Sequence, residues 1–229
     1  MDRLPIHAVI PAAGRGDRFG DDLPKQFAVV AGQPVLAWAI QRLLASGVAE
    51  VVVALAEEFL EEAPTRVLDD SRVRWVRGGP SRQESVIAGL EAVPGDAEAL
   101  VVVHDGARPA VAVADVEATI EAAQREGGAV LGRPISDTLK RIEEGAVVRT
   151  VDRRGLFRAE TPQVFRRGIL ERAVELSRRE GFQGTDEATL VERLPGTRIA
   201  AVNAIHPNPK LTVPGDLPLI ASLLQSAED

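Results

Sequence analysis

Ile6-His7-Ala8-Val9-Ile10-Pro11 passes directly into Ala12-Ala13-Gly14-Arg15-Gly16-Asp17-Arg18-Phe19-Gly20, and this junction decides the fold. An apolar run of strand length that empties into a glycine-rich turn reads as a buried strand opening a β-α-β unit. The alternation then repeats: helix over 34–45, strand over 50–55, short helix over 59–68, strand over 73–76, helix over 81–93, strand over 99–104, helix over 113–126 and strand over 129–134. Such a rhythm builds a parallel sheet covered by helices on both faces. The expected class is therefore α/β, a Rossmann-like, doubly wound, mostly parallel sheet. The rhythm breaks at 136–155, where 137–142 and 146–151 flank Glu143-Glu144-Gly145 as strands flank a hairpin turn. That segment is expected to project as a β-arm. Helices over 167–180 and 186–194, a strand over 199–203 and a helix near 215–225 follow. No repeat or linker interrupts them, so residues 1–229 are expected to form one domain.

Composition narrows the chemistry. An apolar content of 45% in 229 residues is enough for a full core, and the lack of cysteine excludes disulfides, zinc–cysteine sites and thiol catalysis. No apolar run reaches the ~18 residues of a membrane span, and the beginning of the chain carries no secretory pattern; a cytoplasmic protein is expected, without a membrane partner. A formal net charge of −7 argues against a nucleic-acid partner, because that affinity needs a basic face. Any anionic ligand must be met locally. Of 27 basic residues only three are lysines, Lys25, Lys140 and Lys210, so a lysine here can mark a demand for a compact point charge.

Several segments carry candidate chemistry. The turn Pro11, Ala12, Ala13, Gly14, Arg15, Gly16 lies where a doubly wound sheet places its ligands, and small residues let backbone amides approach an anion. Neither the dinucleotide fingerprint nor a P-loop is present, since Phe19 replaces the third glycine and no Gly-Lys-Ser/Thr follows. Arg15, Arg18 and Lys25 add cations that favour polyphosphate over a bare glycine turn. In Gly78-Gly79-Pro80-Ser81-Arg82-Gln83-Glu84-Ser85, Ser81 and Glu84 have capping-box spacing, and on these residues alone a structural role outweighs a base pocket at Gly79, Arg82 and Ser85. His104-Asp105-Gly106-Ala107-Arg108-Pro109 closes a valine-rich strand; Asp105 suits magnesium beside triphosphate oxygens, or fixes its own turn. His7, His104 and His206 are isolated and read as structural or surface residues. Arg153 with the nearby threonines would cradle a phosphate monoester, while a solvated ribbon is the plainer reading of those charges.

Taken in order, Pro-Ala-Ala-Gly-x-Gly-x-Arg, Pro-Lys-Gln, Gly-Gly-x-x-Arg-x-x-Ser, His-Asp-x-Ala-Arg-Pro, Asp-Thr-x-Lys, Thr-Val-Asp-Arg, Thr-Pro-Gln, Thr-Asp-Glu-Ala and Asn-x-Lys-x-Thr closely resemble the 2-C-methyl-D-erythritol 4-phosphate cytidylyltransferase family of isoprenoid precursor synthesis. The resemblance runs from Pro11 to Thr212. It implies a fold of the nucleotide-diphospho-sugar transferase type, a homodimer built through the β-arm, and Mg²⁺-dependent reaction of CTP with a polyol phosphate. It further implies that Arg18, Lys25, Lys210 and Asp105 are catalytic, with Asp105 also the metal residue. Pro11, Ala12, Ala13, Gly14, Gly16, Gly79, Arg82, Ser85, Gly106 and Arg108 would meet CTP; Thr138, Arg153, Thr161 and Thr185 would meet the polyol phosphate. Two positions depart from the family's common form: Gly106 stands where alanine is usual, and Glu160 where glutamine is usual. Glu160 brings negative charge near a site meant for phosphate.

This chemistry explains why no activated nucleophile is apparent. A phosphate monoester with a second pKa of about 6 is already largely ionised near neutrality, so catalysis reduces to alignment and cations. Two other readings share many of the motifs, a ribitol 5-phosphate cytidylyltransferase and a module that binds CTP without turning it over.

Overall fold

The computed structural model describes residues 5–14 and 24–226, so the expectations for Arg15, Gly16 and Arg18 fall outside the described residues. The chain lays down β1 (Ile6–Pro11), a small ribbon of β2 (Val29–Val30) and β3 (Gln33–Pro34), α1 (Val35–Ala45), β4 (Glu50–Leu55), α2 (Ala63–Arg66), β5 (Val73–Arg77), α3 (Arg82–Ala92) and β6 (Leu100–Val103). It continues through α4 (Val113–Glu126), β7 (Gly128–Pro134), β8 (Leu139–Glu143), β9 (Ala146–Val151), β10 (Phe157–Arg166), α5 (Arg167–Glu180), α6 (Glu187–Val191), β11 (Ala200–Asn203) and α7 (Leu217–Gln225).

Seven strands form one sheet in the order β11-β7-β10-β6-β1-β4-β5. Every neighbouring pair is parallel except those made by β10, which runs antiparallel between β6 and β7. The period-2 alternation of side chains divides the core. Ala8, Ile10, Val51, Val53 and Val102 face α1 and α4 on one side. Val9, Val52, Val101 and Val103 face α3, α5 and α6 on the other. Completely burying a leucine- or isoleucine-sized side chain contributes roughly 1.5–3 kcal/mol, and Ile10, Leu36, Ile40 and Leu43 concentrate that effect under the end of β1. On the opposite face Gly89 lets α3 lie on β1, because a Cβ there would stand 2.4 Å from Val9 Cγ1.

Three local results differ from the sequence expectations. The helix expected over 59–68 is only α2 preceded by a 3₁₀ turn at Glu57–Phe59; Pro64, in the first turn of α2, suits a helix start and prevents an uninterrupted helix through that point. The helix expected over 186–194 is confined to α6, with Asp186 capping it by accepting from Thr189 N. Most consequentially, β10 was not evident. Its central Glu160-Thr161-Pro162 interrupts any strand pattern, and the pairing with β7 shifts register between Ala159 and Gln163 to accommodate it.

The expected arm is present as β8 paired with β9 in a sheet of their own. Glu144 and Gly145 turn the ribbon with φ of +50° and +80°, the positive pair that a two-residue hairpin turn requires.

Candidate active site

Loops from the carboxyl ends of β1, β5 and β6 converge on one cleft. Pro11, Ala12, Ala13 and Gly14 form one wall, Gly79, Arg82 and Ser85 a second, and Asp105 and Gly106 the third, with Lys25 and Lys210 facing the same space. The sequence therefore anticipates most of the cleft. Gln26 fixes the first loop, donating through Nε2 to Ala12 O at 2.6 Å and Gly14 O at 3.3 Å. The second loop is held by the capping box that Ser81 and Glu84 complete at the start of α3. Ser85 Oγ accepts from Gly79 N at 3.2 Å and donates toward Ser81 O at 2.9 Å, so this buried hydroxyl shapes the loop.

Asp105 lies at the centre of a charge network. Its Oδ1 faces Arg82 Nε at 3.1 Å, and its Oδ2 faces Lys210 Nζ at 2.7 Å and Arg108 Nε at 3.5 Å. Burial alone would push the carboxyl up, but Arg82, Lys210 and Arg108 together hold it well below the ordinary carboxylate range. Arg82 in turn places its fork on Glu187, at 2.7 and 3.0 Å. Burial opposes the charge on Arg82, yet Glu187 and Asp105 raise its pKa above the usual arginine value. Lys25 donates to Leu211 O at 3.0 Å. Among the described residues Lys25, Arg82 and Lys210 line the cleft against Asp105, which leaves it positive in a chain of net charge −7.

Beneath this network Thr161 Oγ1 accepts from Asp105 N at 3.0 Å and lies 3.1 Å from His104 Nδ1. His104 Nε2 is 3.1 Å from Arg108 O. The arrangement places the ring proton on Nε2, leaving Nδ1 to accept from the threonine hydroxyl. Burial lowers the His104 pKa to about 4, against the opposing bond to Arg108 O, so the ring is neutral near pH 7.

The polyol side is more dispersed. Thr161 is buried under Asp105, whereas Thr138 and Arg153 lie on and beside the arm and Thr185 is exposed ahead of α6. The Arg153 guanidinium donates to Ser136 O. None of these four lines the cleft. A second concavity adjoins it and shares Lys210, with Arg108, Arg133, Arg158, Glu160 and Asn208 on its wall. Arg133, Arg158, Asn208, Gln26 and Glu187 were missed as contributors. Of these, Gln26, Glu187 and Asn208 belong to motifs already noted, and only the fold reveals that the first holds the β1 loop, the second fixes Arg82 and the third donates to Thr161 O at 2.8 Å. Among the described residues no group of three or more acidic, histidine or cysteine side chains is placed to hold a metal.

The family model for 2-C-methyl-D-erythritol 4-phosphate cytidylyltransferase (IspD) matches residues 6–226. The enzyme of that name from Geotalea uraniireducens is 39% identical, over 97% of this chain and 98% of its own. That from Aquifex aeolicus is 38% identical, over 97% and 99% respectively. The crystal structure of the Thermus thermophilus enzyme superposes with a TM-score of 0.81 at 35% identity, covering 97% of this chain and 100% of that one. A crystal structure of a 4-diphosphocytidyl-2C-methyl-D-erythritol synthase gives 0.83 at 32%, covering 97% and 99%. With its glycine-lined cleft, its Asp105 network and this near full-length likeness, the chain belongs to the 2-C-methyl-D-erythritol 4-phosphate cytidylyltransferase family.

Proposed function

We propose that the chain transfers CMP from CTP to 2-C-methyl-D-erythritol 4-phosphate, within a single nucleotidyltransferase domain. The phosphate monoester oxygen attacks the α-phosphorus of CTP, the new P–O bond forms as the bond to the β-phosphate bridge breaks, and pyrophosphate departs with its electron pair. The observation that carries this reading is the cationic cleft at the carboxyl ends of β1 and β6, beside a second cationic concavity that shares Lys210. One space suits a nucleoside triphosphate and the other a smaller phosphate ester.

Lys25 and Lys210 act as point charges for the polyphosphate and the developing charge at phosphorus, with Arg18 assigned alongside them. Pro11–Gly14 and Gly16 present the first loop to the triphosphate; Gly79, Arg82, Ser85, Gly106 and Arg108 form the nucleoside side. Asp105 holds Lys210 and Arg82 in place. Among the described residues its Oδ1 meets Arg82 alone, so a lone pair remains, which fits Mg²⁺ held by one protein carboxylate together with triphosphate oxygens and water. When bound, Mg²⁺ neutralises triphosphate charge. Thr138, Arg153, Thr161 and Thr185 are assigned to the polyol side. Exposed Ile142, Val147 and Val148 on the arm support a homodimer in which the arm packs on a second subunit and Arg153 serves the partner's cleft. A cytoplasmic location accompanies this reading; among the described residues no helix is long and apolar enough to cross a membrane.

A pyrophosphate-release assay with CTP and a panel of polyol phosphates tests the assignment. Turnover with 2-C-methyl-D-erythritol 4-phosphate at the highest kcat/KM is expected. Preference for ribitol 5-phosphate would reassign the acceptor, and CTP binding without release against the whole panel would reduce the chain to a nucleotide-binding module.

A further inference from the structure

The concavity beside the cleft contains two acceptors that no described part of the chain satisfies. Glu160 and Asn208 both line it, and each is 3% exposed. Glu160 Oε1 accepts from Arg158 at 3.0 Å and has Arg133 Nε at 3.9 Å, while Oε2 has no partner. Asn208 donates through Nδ2 to Thr161 O, which orients its amide and leaves Oδ1 an acceptor, again with no partner. A buried polar atom left unmatched costs on the order of 1–3 kcal/mol, and more when charged. Two such atoms on residues of one wall call for a ligand that donates more than once.

The neighbouring charges define that ligand further. Arg108, Arg133, Arg158 and Lys210 line the same space. They repel a donor that is itself a cation and attract an anion. The remaining chemistry is a molecule with several neutral hydroxyl donors and an anionic end. We propose that Glu160 Oε2 and Asn208 Oδ1 accept hydrogen bonds from hydroxyls of the acceptor's carbon chain, and that this pair determines which polyol phosphate is used. Both oxygens are shielded from water, so the acceptor reaches them only when a neighbouring side chain shifts; Arg158, bonded to Glu160 Oε1 and with its side chain 65% exposed, has room to do so. The inference rests on the polyol-phosphate reading above and adds the residues that discriminate within that class.

Steady-state pyrophosphate release with saturating CTP provides the test. For the unaltered protein, 2-C-methyl-D-erythritol 4-phosphate analogues lacking one hydroxyl at a time are compared with the parent compound. At least one deoxy position should raise KM about tenfold or more, because a site built around a hydroxyl rejects the analogue without it. Glu160→Leu, which keeps the size and removes both acceptor oxygens, should raise the polyol KM to a similar degree, leave the CTP KM within about twofold, and lessen the penalty for one of the deoxy analogues. Equal use of all the analogues by the unaltered protein overturns the proposal without any variant. So does an unchanged polyol KM in folded Glu160→Leu. In either case robust turnover of the parent leaves the cytidylyltransferase reading standing; failure of the unaltered protein to turn over any polyol phosphate with CTP overturns both.

Discussion

Asp105 and Glu160 are both buried carboxylates beside arginines, yet their surroundings differ in kind. Asp105 has a cation on each oxygen, its backbone N–H is received by Thr161, and Arg82 is itself held by Glu187. Glu160 has one oxygen on Arg158 and the other unmatched among the described residues. A carboxylate with a cation on each oxygen fixes its neighbours and keeps a single lone pair for a metal ion, whereas one with a whole oxygen unmatched keeps capacity for a substrate hydroxyl. The first organises the cleft from within. The second is directed at what enters.

That contrast can be broken by deletion. Asp105→Ala leaves Arg82 and Lys210 facing one another without their shared anion, and a loss of about 3 kcal/mol in urea unfolding is expected, together with a large drop in kcat. Glu160→Ala removes an unmet acceptor and should change stability by less than about 1 kcal/mol. Similar losses for the two would erase the distinction.

Acid should expose the next largest effect. His104 is neutral in the fold with a pKa of about 4 but ordinary when unfolded, so the unfolded chain binds the extra proton first. Its stabilising contribution is complete above about pH 6.5 and disappears as pH falls toward 4, by on the order of 3 kcal/mol. Asp105, depressed in the fold, adds a loss in the same direction below its ordinary pKa. Unfolding free energies measured from pH 7 to pH 4 should fall in the parent protein and fall less in His104→Gln.

Lys25→Ala sharpens the catalytic half of the comparison. A loss in kcat on the order of 10² is expected, larger than the change in CTP KM, if the charge acts on the transition state. Near-normal turnover at saturating substrate would remove Lys25 from the mechanism.

The smallest signal is also the most architectural. Mixing Lys25→Ala with Arg153→Ala and allowing subunits to exchange should restore about a quarter of parental activity, since each mixed dimer has one cleft free of both lesions. Heterodimers that form and stay inactive would return Arg153 to its own subunit.

The parallel strands and the helices against them were legible because their apolar periods are strong, as in Val101-Val102-Val103 and the α1 sequence. The cleft loops were legible because ligands in such sheets gather at strand carboxyl ends, and the motifs lie there. β10 was not legible: Arg158, Glu160, Thr161 and Pro162 give it neither alternation nor a continuous apolar run. With it went the second concavity, whose wall joins Arg133 of β7, Glu160 of β10 and Asn208 of a later loop. No spacing along the chain relates those three. The departure at Glu160 was visible, but its meaning depended on which guanidiniums lie beside it.

The arm leaves the end of β7 and returns as the start of β10, and these two strands are themselves neighbours, with Phe157 opposite Pro134 and Ile135 N donating to Leu156 O at 3.2 Å just beyond. The ribbon is therefore an excursion from a hairpin already closed at its base, so most of its closure entropy is independent of the tip. A chain cut back to a short turn between Ile135 and Leu156 would retain the register of the seven-stranded sheet while losing the exposed Ile142, Val147 and Val148. In the proposed homodimer, subunit association and folding would thereby be separable, and a shortened chain would be expected to give a folded, single-copy form.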